Sequence, residues 1–288
     1  MSLYEKYPNS KFLKETFKSS LGLPEILEDL FSYLDGLEDS HFGSQLDHDC
    51  EARIWEMMVA KMLRLSGFEL KSSDVGPDFT IETAEARINV EAVCPGPGDP
   101  EKISSVPEIE FGTDKMRKIP EEIIATRLTN AIWNKKKDYI DYLESGRVNP
   151  NDKFIIAVGM IKLQRGRDLW PPMILRATLG MGRSYAMFSA DPDIETKQGI
   201  EYRGSVQKPI DIEVSTELFL HEDYNIVSGI LSSEASPFTL GFDLYEGALV
   251  VHNPLSLNPL PTGLFKDCED IWTIKCVGED VWKSFRMR

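Results

Sequence analysis

Cysteine is scarce in this chain: Cys50, Cys94, Cys268 and Cys276 are four in 288 residues, far apart and without C-x-x-C spacing. That spacing suggests neither a disulfide framework nor a zinc knuckle and leaves reduced, mostly buried thiols as the expectation. Long apolar runs are also missing. None approaches the roughly 18 residues a membrane span needs, and Met1 to Lys11 is too polar for a signal peptide, so a cytoplasmic protein with no membrane partner is expected. No internal repeat or low-complexity linker marks a domain boundary. No serine, histidine and aspartate are spaced as a hydrolase triad, and Gly180-Met181-Gly182 lacks the context of a nucleotide loop.

Positive charge is in deficit: 32 bases against 47 acids give a net charge of −15. Such a balance argues against non-specific wrapping of nucleic acid, although a local groove is still open to it. The distribution is uneven. Met1 to Met58 carry twelve acids and five bases, whereas Lys115 to Lys137 carry seven bases against Glu121 and Glu122. A second stretch, Lys153 to Arg183, has six bases and only Asp168. These middle segments could hold a phosphate backbone, and the plainer alternative is a solvated helix face with loop charges.

With 42% apolar residues the chain can bury a sizeable core. Pro24 to Leu37 reads as a short acidic helix ending near Gly36, and residues 1–48 as an N-terminal helical extension. From Asp49 to Ser66, Ile54, Met57, Met58, Met62 and Leu65 recur at helical spacing, with Gly67 as the stop. Phe68 to Lys71, Pro77 to Glu82 and Ala86 to Cys94 alternate like the strands of a meander. Pro95-Gly96-Pro97-Gly98-Asp99-Pro100 breaks regular structure, and Glu101 to Ile119 reads as irregular. A long helix follows over Pro120 to Leu143, with Pro120 suited to its first turn. Phe154 to Ile161 is a continuous apolar run of strand length, as expected of a central strand after a crossover helix. Ile210 to Val214, Ile226 to Leu231 and Ala248 to His252 are further strand candidates. The order points to an α/β domain over 49–262, a central mixed sheet flanked by helices, with 263–288 packed on the same domain.

Three acids stand where metal-assisted phosphodiester hydrolysis would want them: Glu56 on the first long helix, Asp78 opening one strand, and Glu91 within the next. Carboxylates suit magnesium, which keeps several waters, one of which can attack phosphorus. A hairpin can bring Asp78 and Glu91 together, and period-two alternation puts Asn89, Glu91 and Val93 on one face. A carboxylate between apolar neighbours needs a partner or an ion if buried. Each has a plainer reading: a surface acid for Glu56, a Pro-Asp turn for Asp78, an edge-strand acid for Glu91. His48, between Asp47 and Asp49, reads as part of a charged helix start, and His252 as a strand-end histidine.

A helix with a glutamate about a dozen residues ahead of a Gly-Phe turn, then Gly76-Pro77-Asp78-Phe79, then Val90-Glu91-Ala92-Val93 before a second helix, resembles the PD-(D/E)XK restriction-endonuclease-like superfamily over Asp49 to Ile161. The resemblance implies a restriction-endonuclease-like core and a Mg2+-dependent endonuclease acting on DNA or RNA, in nucleic-acid processing or defence. Mn2+ would serve as a substitute. It implies Asp78, Glu91 and the Ala92 carbonyl as metal ligands and Glu56 as an accessory acid. The motif lysine is absent, because Val93 holds its place. Along the second helix, Ile124, Leu128, Ala131, Lys135 and Asp138 share one face, so Lys135 is the first candidate replacement and Arg127 the second. Lys136 and Lys137 point elsewhere and, with Arg127, are candidate substrate contacts. The plainer reading of Lys135 is a flank lysine snorkelling over apolar surface. The alternative function is a catalytically inactive relative that binds nucleic acid or protein, and a homo-oligomer is compatible with either.

Overall fold

The computed structural model describes residues 1–18, 22–107, 118–166, 169–188, 197–208, 212–274 and 283–287. Short helices α1 (Leu3–Lys6), α2 (Lys11–Thr16), α3 (Leu23–Ser32) and α4 (Phe42–His48) lead into α5 (Cys50–Leu65). Strands β1 (Leu70–Lys71), β2 (Phe79–Glu82) and β3 (Arg87–Val93) follow, then α6 (Glu121–Glu144) and β4 (Lys153–Gly159). After α7 (Met173–Thr178) come two hairpins, β5 (Met181–Met187) with β6 (Lys197–Tyr202) and β7 (Ser205–Gln207) with β8 (Glu213–Ser215). Strands β9 (Gly229–Ser233), β10 (Leu249–His252), β11 (Glu269–Ile274) and β12 (Lys283–Met287) complete the chain.

The protein is an α/β structure whose mixed sheet runs β1-β2-β3-β4-β9-β10-β11-β12. Strands β3, β4 and β9 are parallel neighbours, as are β10 and β11, and the remaining pairs are antiparallel. Burial of the β3–β4–β9 centre on both faces explains why β4 is apolar throughout. Its residues divide by parity: Ile155 and Ala157 join the cluster under α3, α4 and α5, while Phe154, Ile156 and Val158 join the one under α6 and α7. Leu3, Leu13, Leu27 and Phe42 share the α5 cluster, so the N-terminal helices bury their apolar faces in the core of the sheet.

Several boundaries differ from expectation for local reasons. Helix α3 stops at Ser32, short of Gly36, and turn hydrogen bonds carry the chain through Leu34 to Leu37. Asp49 caps α5 by accepting from the Ala52 N–H, and Gly67 closes it at φ 89°, a left-handed conformation that costs glycine little. Strand β2 begins at Phe79, because Asp78 bonds through its side chain. The Ile226 to Leu231 candidate becomes β9 from Gly229, and the Ile210 to Val214 candidate becomes β8 from Glu213, with Ile210 outside the described residues. Residues 101–107 are irregular as expected, and 108–117, with Lys115 and Arg117, lie outside the described residues. No helix among the described residues is long and apolar enough to cross a membrane.

Candidate functional site

Two aromatic anchors set the helices on the sheet. Trp55, fully buried, donates from Nε1 to the Ala157 carbonyl at 2.9 Å, and its ring lies over Gly159, where an added Cβ would sit 2.5 Å from ring carbons. That close approach brings α5, and with it Glu56, onto the β4 end of the site. On the other face Tyr139 of α6 stacks on Phe154 with ring centroids 3.8 Å apart. Asn89 of β3 donates to the Tyr139 hydroxyl at 3.3 Å and to Asp152 Oδ2 at 3.1 Å, and accepts from Thr80 at 3.1 Å. This buried network fixes the register of α6 against β3. Lys135, four residues before Tyr139, is thereby held one turn away over Glu91.

Glu91 is 1% exposed on the α6 face of β3, and Lys135 Nζ stands 2.5 Å from its Oε2. Glu91 Oε1 is buried without a hydrogen-bond partner, and the Tyr142 hydroxyl is its neighbour without reaching full hydrogen-bond geometry. Asp78 Oδ2 accepts from the Ala92 N–H at 2.7 Å. Strand β2 pairs with β3 only as far as Phe79 and Val90, so the Asp78 carboxylate takes over where the ladder ends. A residue's N–H and C=O leave a strand on the same edge, which aims the Ala92 carbonyl toward Asp78 as well. Glu56 is 6% exposed, buried rather than on the surface, and Arg53 Nη1 lies 2.7 Å from its Oε2, an ion pair by distance but not aligned as a hydrogen bond.

Burial dominates the electrostatics. It pushes Glu56 up to about 8, offset in part by Arg53 and reinforced by Asp78. Burial, then the Asp78 charge, pushes Glu91 to about 7 against the pull of Lys135. Asp78 is partly buried and closely surrounded, and burial raises it too, opposed by Lys135 and the Ala92 N–H. Burial alone would depress the Lys135 ammonium, but Glu91 and Asp78 outweigh it and its pKa is raised. Three acids and one lysine thus share one electrostatic neighbourhood.

Two of the three candidate substrate contacts, Arg127 and Lys136, are tied to backbone carbonyls. Arg127 Nη2 donates to the Ser104 carbonyl at 2.9 Å and packs where a Cβ on Gly98 would stand 1.8 Å from it. Lys136 donates to the Asp223 carbonyl at 3.1 Å and lies 4.4 Å from the centre of the Tyr224 ring. Lys137 is exposed beside Trp133. Arg176 and Lys162, from the second basic stretch, are ion-paired with Glu121 and Asp49. The middle bases therefore contribute less free positive charge than their number suggests. Sequence reasoning missed Arg53 and Tyr142, both legible from helical spacing: Arg53 stands three residues before Glu56, and Tyr142 seven after Lys135.

Carboxylates and a carbonyl are the kind of oxygen donors magnesium takes, and Glu91 Oε1 is buried without a hydrogen-bond partner. Among the described residues, no group of three or more His, Cys, Asp or Glu side chains is placed to hold a metal ion. No family model, curated protein or solved structure matches the chain, so the chemistry rests on this geometry.

Proposed function

We propose that this chain is a metal-dependent endonuclease of the PD-(D/E)XK kind, hydrolysing phosphodiester bonds in DNA or RNA, with the restriction-endonuclease-like core carried by α5, β2, β3, α6 and β4. The observation that carries it is the Lys135 ammonium, 2.5 Å from the buried Glu91 carboxylate. It stands beside the strand end where Val93 leaves the motif without its lysine.

Asp78, Glu91 and the Ala92 carbonyl would hold Mg2+, with Mn2+ as a substitute. When bound, the ion supplies Lewis acidity toward the phosphate and lowers the pKa of a water. Lys135 has three N–H donors. One is spent on Glu91, and the others can orient the attacking water or meet the developing oxyanion, in a site dry enough for that charge to count. Glu56, held mostly protonated at neutral pH by burial, offers a proton without adding to the repulsion between Asp78 and Glu91. A non-catalytic binding protein is the second reading, favoured by the internal ties of Arg127 and Lys136.

Single- and double-stranded DNA and RNA incubated with the protein in Mg2+, Mn2+ or EDTA separate the two. Metal-dependent cleavage is expected, with Lys135→Ala losing about 100-fold or more in rate while substrate affinity is retained. No cleavage of any substrate with metal present would leave the binding reading, and an unchanged Lys135→Ala rate would remove this residue from the mechanism.

A further inference from the structure

A cleft of about 580 Å³ opens along α6 beyond the candidate site, within the roughly 300–1,000 Å³ typical of small-molecule pockets. One wall is α6, where Ile123, Arg127 and Asn130 follow four- and three-residue steps. The opposite walls are the 101–104 loop, with Lys102, and the end of β7, with Gln207 and Lys208. That loop is reached from β3, the strand that carries Glu91, through the intervening 94–100 segment. Arg127 ties the loop to α6 through the Ser104 carbonyl, and its fork keeps further N–H donors.

The lining defines a ligand class. Among the described lining residues Lys102, Arg127 and Lys208 stand against one acid, Glu101, so that even with Lys102 paired to the exposed Asp99 at 3.3 Å this lining favours an anion. Asn130 and Gln207 are exposed carboxamides, each able to donate and accept at once, the pattern that reads a base edge. Ile123 gives an apolar floor for a flat ring. Along α6, Asn130 and Arg127 precede Lys135 by five and eight residues. At about 1.5 Å per residue that is roughly 7.5 and 12 Å, or about two to four stacked nucleotides at 3.4 Å each.

We propose that this cleft holds one nucleotide unit of the strand, base against Asn130 and Gln207 and phosphate against the two lysines and Arg127, a few positions from the scissile bond. This rests on the nuclease reading for its place along a strand, but binding in the cleft is measurable without catalysis. The full chain is titrated in EDTA with 5′-AMP and, separately, inorganic phosphate, by calorimetry. 5′-AMP binds, and combining Lys102→Glu with Lys208→Glu, both on solvent-accessible side chains, weakens it tenfold or more with the melting temperature kept. Asn130→Trp, on an exposed helical position, fills the cleft and produces the same loss. No binding at millimolar 5′-AMP, unchanged affinity in these variants, or phosphate binding as tightly as 5′-AMP overturns the proposal. Failure to cleave nucleic acid while 5′-AMP binds as described removes the nuclease reading and leaves the cleft assignment standing. Cleavage with no 5′-AMP site does the reverse.

Discussion

Glu56 permits a test that does not depend on finding a substrate. Its folded-state pKa is raised from 4.5 to about 8, chiefly by burial. The folded chain therefore holds this proton more tightly than the unfolded one does, so the contribution to stability is complete below pH 4.5 and is lost as pH rises through 8. A difference of about 3.5 units at 1.36 kcal/mol each puts the loss on the order of 5 kcal/mol. Burial and the Asp78 charge raise Glu91 as well, so it adds to the loss in the same direction as pH rises. The Glu56 figure alone is a large share of the 5–15 kcal/mol typical of a folded domain. Urea unfolding followed by tryptophan fluorescence at pH 5.5, 7 and 8.5 in EDTA should show stability falling with pH. Glu56→Gln keeps the shape and removes the charge, and Arg53 retains Asp39 at 3.2 Å, so the variant should lose most of the slope and exceed the wild type at pH 8.5. Parallel profiles for the two proteins would refute the burial argument for Glu56.

Adding Mn2+ should flatten the part of the slope due to Glu91, because a bound cation holds the carboxylate ionised; Asp78→Asn should abolish this effect, and an identical profile with and without Mn2+ would count against the metal site. Gly159→Ala should cost at least about 2 kcal/mol in chemical denaturation, since the new methyl meets the Trp55 ring at 2.5 Å. Asp270→Ala should destabilise by about 3 kcal/mol, because it strips the buried His252 of its partner at 2.6 Å, and a change under 1 kcal/mol would show that pair to be idle.

The elements around the site were legible where one physical signal ruled. Helix α5 was set by its 3.6-residue period between Asp49 and Gly67, α6 by the same period after Pro120, and β4 by an unbroken apolar run. The face of Lys135 followed from spacing alone, because Ile124 and Leu128 pack on the sheet and carry the lysine with them. Glu56 was harder. A glutamate on an amphipathic helix reads as a surface residue, and only Trp55 against Gly159 turns it inward. Strand β11 was invisible because its buried Asp270 pairs with His252 across the sheet, a long-range contact that disguises a core position as a polar one. Helices α1, α2 and α4 are too short for periodicity to stand out. The inward contacts of Arg127 and Lys136 depend on backbone carbonyls of distant loops, about which local sequence says nothing.

The handover from β2 to the Asp78 side chain makes the length of one turn inseparable from the chemistry. Thr83 and Ala86 close the hairpin, and every pairing from Glu82 with Arg87 to Phe79 with Val90 is counted from that turn. One residue inserted there would either open the turn or slide β2 by one position, and a slide sends each side chain of β2 to the opposite face. Asp78 would then miss the Ala92 N–H, whereas the 95–107 segment, free of any strand register, can lengthen without moving a ligand. Single-residue insertions scanned along the chain should accordingly spare folding and metal affinity after Cys94 but eliminate metal affinity between Asp78 and Glu91.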